Sequence, residues 1–182
     1  MMTTVPYWHV DAFSDRPFAG NPAAVMVFDT WPADPVLQAM AEENNFAETA
    51  FLIPDAGGAA DWELRWFTPA CEIRLCGHAT LASGHILLGR EPRRDRVTFR
   101  TRLSGLLEVH RDGTGSRLAL PAIRTQPSTW PEAIAALGGP EPLEVHRNPD
   151  GYTIVLFESE AQVRALAPDF RALGALGGDL FI

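Results

Sequence analysis

Cysteine is scarce in this chain: two among 182 residues, Cys71 and Cys76. Their spacing matches neither a zinc knuckle nor a redox Cys-x-x-Cys pair. So few cysteines argue against a disulfide-stapled secreted domain, and a reducing cytoplasm is the simplest compartment. Positive charge is also short: 15 basic residues face 23 acidic ones, a formal net charge of −8. No basic cluster stands out beyond Arg90 to Arg102, so nucleic acid is not an expected partner. Long apolar runs are missing, so no segment is expected to span a membrane. Met1 to Pro6 lacks the basic stretch and apolar core of a signal peptide. What is present is a globular composition, 46% apolar and 21% charged, in a length that suits one domain or one domain plus part of another.

Alternating and apolar runs predict strands at Tyr7–Phe13, Ala23–Phe28, Glu48–Ile53, Trp62–Phe67, Arg96–Arg102, Leu106–Arg111 and Arg117–Leu120. Asp34 followed by Pro35 predicts a helix with an aspartate cap, running to about Asn45 with Val36, Leu37, Met40 and Ala41 on one face. A second helix is expected from Cys76 to a C-terminal stop at Gly89. From Cys76 to Leu88 it contains no Asp, Glu, Lys or Arg. A helix apolar on all sides is one that protein surrounds. These elements predict an α+β lobe, residues 1–122, in which a curved sheet wraps a central helix.

The proline-bearing stretch Pro121–Ser128 is the best boundary. Beyond it a new round begins: a helix over Pro131–Leu137, strands over Leu143–Arg147 and Tyr152–Glu158, and a helix capped by Ser159 reaching about Leu166. Asp179–Ile182 reads as the start of a strand without a pairing partner. Residues 123–182 are therefore expected to be part of a second lobe, with an edge at Leu180–Ile182 that could drive association.

Three residue types in this pattern can carry chemistry. Glu48 leads an apolar strand; it is either a solvated strand end or a half-buried carboxylate with a raised pKa, suited to moving protons. His78 lies in the first turn of the charge-free helix. There it is either a satisfied core histidine or a group that polarises or protonates a bound acid, next to backbone N–H groups that favour an anion. Cys76 is either a small buried hydrophobe or a thiol activated by the helix end. His85 is about 10 Å further along the helix axis, too far to share a metal with His78, and reads as structural. Asp11, Asn21 and Arg65 read as architectural, and Glu72 as a backbone partner near the helix start.

Three blocks of sequence resemble one known family. Asp11-Ala12-Phe13 with Pro17-Phe18-Ala19-Gly20-Asn21-Pro22-Ala23-Ala24-Val25 is the first, and Phe46-Ala47-Glu48-Thr49-Ala50-Phe51 the second. The third runs from Phe67-Thr68-Pro69 to Cys76-Gly77-His78-Ala79-Thr80. In this order they resemble the phenazine-biosynthesis-like (PhzF-like) isomerases, which implies a diaminopimelate-epimerase-like fold of two similar lobes with the active site between them. It also implies a cofactor-free, metal-free isomerisation by proton transfer in a homodimer. The characterised member acts on trans-2,3-dihydro-3-hydroxyanthranilate, so a small carboxylic acid is the implied partner. By motif, Glu48 would be the general acid/base; Gly77 and His78 would hold the substrate, flanked by Ala47 and Cys76. Ala47 stands where the family often has serine. The family's second lobe supplies an aspartate and a Gly-Ser loop for which this sequence has no match.

Two other functions fit the same residues. A thiol-based amino-acid racemase would use Cys76 and need a second thiol, for which Cys71 is too close in sequence. A non-catalytic protein could keep the fold and bind a small acid.

Overall fold

The computed structural model describes residues 4–182. The chain divides into two compact units, one ending at Pro121 and the other running from Ala122 to Ile182.

The first unit is one curled sheet with a helix on each face. In chain order its elements are β1 (Tyr7–Ala12), β2 (Asn21–Val27), α1 (Asp34–Asn44), β3 (Glu48–Pro54), β4 (Trp62–Phe67), β5 (Glu72–Ile73), α2 (Gly77–Arg90), β6 (Arg96–Thr101), β7 (Leu106–Asp112) and β8 (Gly115–Ala119). The strand order is β1-β2-β3-β4-β6-β7-β8, with the short β5 paired to β4. The sequence reading did not anticipate β5. β2 and β3 run parallel, as do β4 and β6, and the other pairs of this sheet are antiparallel. Each parallel step needs a crossover, and the two crossovers are α1 and α2.

Side-chain alternation sorts the residues between the two helices. Ala23, Val25, Ala50, Leu52, Leu64, Trp66, Val97, Phe99, Leu107 and Val109 face α2 and form one core with its Ala79, Ala82, Leu87 and Leu88. Phe51 and Phe67 point to the other face and pack with Leu37 and Ala41 of α1. β3 is thus apolar on both faces, which explains its unbroken run Thr49–Ile53. Each large side chain fully buried here contributes about 1.5–3 kcal/mol. α2 packs against β1, β2, β3, β6, β7 and β8, so the sheet surrounds it. Its buried hydroxyls bond back to the helix: Thr80 Oγ1 donates to the Cys76 carbonyl at 2.5 Å and Ser83 Oγ to the Ala79 carbonyl at 2.7 Å. These two hydroxyls therefore sit in a dry helix without being orphaned.

Several element ends differ from expectation. α1 is capped by Ala33, and Asp34 falls inside its first turn; the Asp34 carboxylate binds Arg65 instead of capping. α2 runs through Gly89 to Arg90 and closes at Glu91, so Gly89 is not its stop. Val36, expected on the buried face of α1, is exposed.

The second unit holds β9 (Gln126–Pro127), α3 (Pro131–Leu137), β10 (Glu144–Asn148), β11 (Tyr152–Leu156), α4 (Glu160–Arg164), α5 (Phe170–Leu176) and β12 (Leu180–Phe181). Its sheet has the order β12-β11-β10-β9, and α3 packs on α5. Ser159 caps α4 by accepting the Gln162 N–H, as its sequence suggests, but the helix ends at Arg164. α5 was not expected. The last strand does have a partner: β12 pairs in parallel with β11, Tyr152 opposite Leu180 and Thr153 opposite Phe181. Asp179 anchors it, accepting from Thr153 Oγ1 at 2.8 Å and from Arg147 Nη2 at 3.0 Å.

Among the described residues no helix is long and apolar enough to cross a membrane.

Candidate functional site

The parallel pairing of β2 and β3 sets Ala23 opposite Glu48. The first residues of both strands therefore lie at one end of the sheet, and the N-terminus of α2 arrives at that same end. There Glu48 Oε2 stands 3.2 Å from His78 Nε2. The contact lacks hydrogen-bond alignment, and both atoms are buried without a hydrogen-bond partner. Leaving a buried polar atom unpaired costs about 1–3 kcal/mol, and a catalytic role, stored strain or a bound water or ion accounts for such atoms in native folds.

The His78 side chain is 9% exposed and that of Glu48 20%. Burial pushes the His78 pKa below its usual value, and the Glu48 charge and the Pro22 carbonyl offset this only in part. The ring is therefore chiefly neutral at pH 7, with one nitrogen able to donate and the other to accept. The positive end of α2 opposes its protonation as well.

Cys76 is the residue before α2, and its Sγ lies 3.4 Å from His78 Nδ1. Its thiol is not activated. Burial, together with the Glu48 charge, pushes its pKa up to about 12, and the backbone N–H groups of His78 and Ala79 only partly counter this. Of the two readings of Cys76, the small buried hydrophobe holds, because desolvation in the core outweighs the helix end. Cys71 is exposed, with its Sγ 3.8 Å from Thr68 Oγ1. No second thiol joins Cys76 among the described residues, which removes the arrangement a two-thiol racemase needs within this chain.

The arrangement can move a proton. A carboxylate and a neutral imidazole face the same small volume, within reach of a single substrate atom. The N–H groups of the first turn, at Gly77, His78 and Ala79, have no intrahelical acceptor and favour an anionic ligand. Ala47 and Gly77 flank the pair, Ala47 exposed and Gly77 half-buried. A Cβ at Gly77 would come 3.2 Å from Leu120 Cδ1. The ligand atoms of Glu48, Cys76 and His78 also lie within 4.8 Å of one another, close enough to share a cation.

The remaining candidates are elsewhere. Asp11 Oδ2 accepts the Phe18 N–H at 2.8 Å and shapes the β1–β2 loop. His85 is exposed, in a surface groove with Asp11–Arg16 and Thr114–Ser116. That groove has no convergent buried polar atoms, so the polar cluster is the stronger mark of a site. Glu72 does not bond the helix start; both its oxygens bind Arg65, each at 2.7 Å. The Pro22 carbonyl, beside His78, has no counterpart among the sequence candidates. A backbone atom leaves no residue-type signal, and only the strand pairing brings it to the site.

The chain is similar to known proteins over most of its length. Residues 10–181 match the family model described as "Phenazine biosynthesis-like protein". Two Pseudomonas aeruginosa proteins, each named an uncharacterized isomerase, are 44% and 46% identical over 93% of this chain, which spans 63% and 64% of their lengths. A crystal structure of an Enterococcus faecalis phenazine biosynthesis protein of the PhzF family superposes with a TM-score of 0.80 at 37% identity, covering 97% of this chain and 66% of that one. The chain thus spans less than two thirds of the curated relatives it matches.

Proposed function

The chain belongs to the phenazine biosynthesis-like family, and from that premise we propose that it carries the glutamate half of a proton-transfer isomerase site for a small carboxylic acid. The relatives named isomerases support the reaction class. The observation that carries the mechanism is the pair of buried, unpartnered atoms Glu48 Oε2 and His78 Nε2, 3.2 Å apart at the start of α2. Glu48 takes a proton from one substrate carbon and returns it to another. Neutral His78 donates to, or accepts from, the polar group beside the reacting carbon. The first-turn N–H groups around Gly77 hold the substrate carboxylate, with Ala47 and Cys76 forming the walls. No step in this scheme requires a metal or an organic cofactor. The substrate class is a cyclic acid of the dihydro-hydroxyanthranilate kind, by likeness to the family. A homodimer in the cytoplasm and a division into lobes near residue 122 belong to the same reading.

The test is deuterium uptake from D₂O, followed by NMR, with a panel of small cyclic and amino carboxylic acids and the full-length protein. Uptake by at least one acid is expected, with a loss of at least about a hundredfold in Glu48→Gln, the range of a positioned acid/base. An acid that raises the melting temperature while no member of the panel exchanges would instead indicate a binding protein.

A further inference from the structure

We propose that the Glu48–Cys76–His78 cluster is also a binding site for a thiophilic divalent cation of the Zn²⁺ type, which blocks it. A tetrahedron with metal–ligand bonds of ~2.0 Å has edges of roughly 3.3 Å. The Glu48 Oε2 to His78 Nε2 separation of 3.2 Å is such an edge. One donor atom from each of the three residues lies within 4.8 Å of the others, with Cys76 Sγ 3.4 Å from the second ring nitrogen, Nδ1. Bringing the sulfur to its own edge length of roughly 3.5 Å needs about an ångström of side-chain movement. That movement takes Cys76 Sγ out of its 3.4 Å contact with His78 Nδ1.

The second, independent observation concerns the histidine. Its side chain is more than nine-tenths buried, and Nε2 faces the carboxylate without a hydrogen-bond partner. A cation would satisfy both orphaned atoms at once. The donor set selects the ion: one carboxylate, one imidazole and one thiol suit Zn²⁺, whereas Mg²⁺ and Ca²⁺ require oxygen ligands. Three protein ligands leave a fourth position for water or an anion. On binding, the Zn–S bond forms as the S–H bond breaks, and the proton leaves to solvent; nothing is oxidised or reduced. That occupancy inhibits proton transfer rests on the isomerase reading. The binding itself does not.

The experiment titrates the chain with Co²⁺, read by visible absorption, and with Zn²⁺, read by calorimetry. One equivalent of Co²⁺ should give the intense bands of a four-coordinate site with thiolate charge transfer, and Zn²⁺ should displace it. Cys76→Ser should abolish the charge-transfer band. Cys76→Ser and His78→Asn should each weaken Zn²⁺ by at least about tenfold, since even outer-shell changes cost 10–100-fold, and Cys71→Ser should change nothing. Circular dichroism on each variant checks that the fold survives, and two ligand variants guard against one failing. The proposal is overturned if folded wild-type chain binds no Zn²⁺ at micromolar levels, or if binding survives both ligand variants or depends on Cys71. Absence of deuterium exchange would sink the isomerase reading and leave the metal result standing. Exchange that saturating Zn²⁺ does not slow would overturn the block.

Discussion

Two buried polar clusters lie on opposite faces of the same sheet, and they are built on opposite rules. On the α1 face, Arg65 is 2% exposed with its donors engaged. Its Nε and Nη2 donate to the two Glu72 oxygens at 2.7 Å, and Nη1 donates to Asp34 at 2.8 Å. Its guanidinium also lies between the rings of Trp31 and Phe67, 5.2 and 5.0 Å from their centroids. On the α2 face, Glu48 and His78 are close and unpaired. A satisfied cluster has nothing left to offer a ligand, and serves to join α1, β4 and β5. An unsatisfied one is costly to the fold and is poised to bind something. Burial of charge alone would have marked Arg65 as the more unusual residue, but hydrogen-bond accounting assigns the roles the other way.

The comparison breaks most sharply under paired substitution. Arg65→Ala removes a buried cation, leaves two carboxylates facing each other and opens a cavity between two aromatic rings. It should cost about 3–5 kcal/mol, the range for breaking a buried ion pair. Glu48→Gln removes an unpaired buried carboxylate and should leave stability within about 1 kcal/mol, or raise it, since functional sites trade stability for activity. Urea unfolding of the two variants checks this. A Glu48→Gln loss as large as that of Arg65→Ala would mean that Glu48 is structural and the site reading is wrong.

A middle-sized effect tests how the unsatisfied end is held in place. α2 approaches β7 closely at Gly84, where a Cβ would lie inside the van der Waals radius of the Val109 side chain. Val109 is fully buried and β-branched, so it cannot rotate away. Gly84→Ala should cost about 1–3 kcal/mol despite the better helix propensity of alanine, and it should shift the chemical shifts of His78, two turns away on the same helix. A stabilised Gly84→Ala protein would show that the helix floats in the sheet and does not fix the site.

These contrasts also show what could be read from the residues alone. The charge-free run Cys76–Leu88 announced a surrounded helix, and β3 was visible as the apolar strand Thr49–Ile53, though not that it is buried on both faces. Glu48 and His78 were placed by motif and local pattern. What stayed hidden was whatever depends on residues distant in sequence. For Cys76 the sequence leaves a buried hydrophobe and a helix-end thiol side by side, and only the packed core decides for the first. Asp34 and Glu72 look like local caps, because Arg65 reaches them only after β4 pairs with β5 and packs against α1. β12 seemed partnerless because its partner, β11, pairs in parallel across a helical connection.

The smallest effect concerns a carboxylate that obeys the Arg65 rule in the turn after β3 of the same sheet. Asp55 accepts from Arg100 at 2.9 and 3.2 Å and from the backbone N–H groups of Gly57 and Ala60 at 3.0 and 2.9 Å. The Arg100 hydrogen bonds first, then these N–H groups, hold its pKa down to about 2 against partial desolvation. A depressed carboxylate binds its proton more weakly in the folded state than in the unfolded chain, whose aspartate titrates near ~3.9. Its contribution is therefore complete above that value and is lost as pH falls from ~3.9 to about 2. Asp55→Asn should lower the melting temperature slightly at pH 6, and the gap to wild type should close on acidification through that window. A gap that stays constant down to pH 2 would mean that the loop from Asp55 to Ala60 is held by its backbone alone, and that the charge on Asp55 adds nothing to its hydrogen bonds.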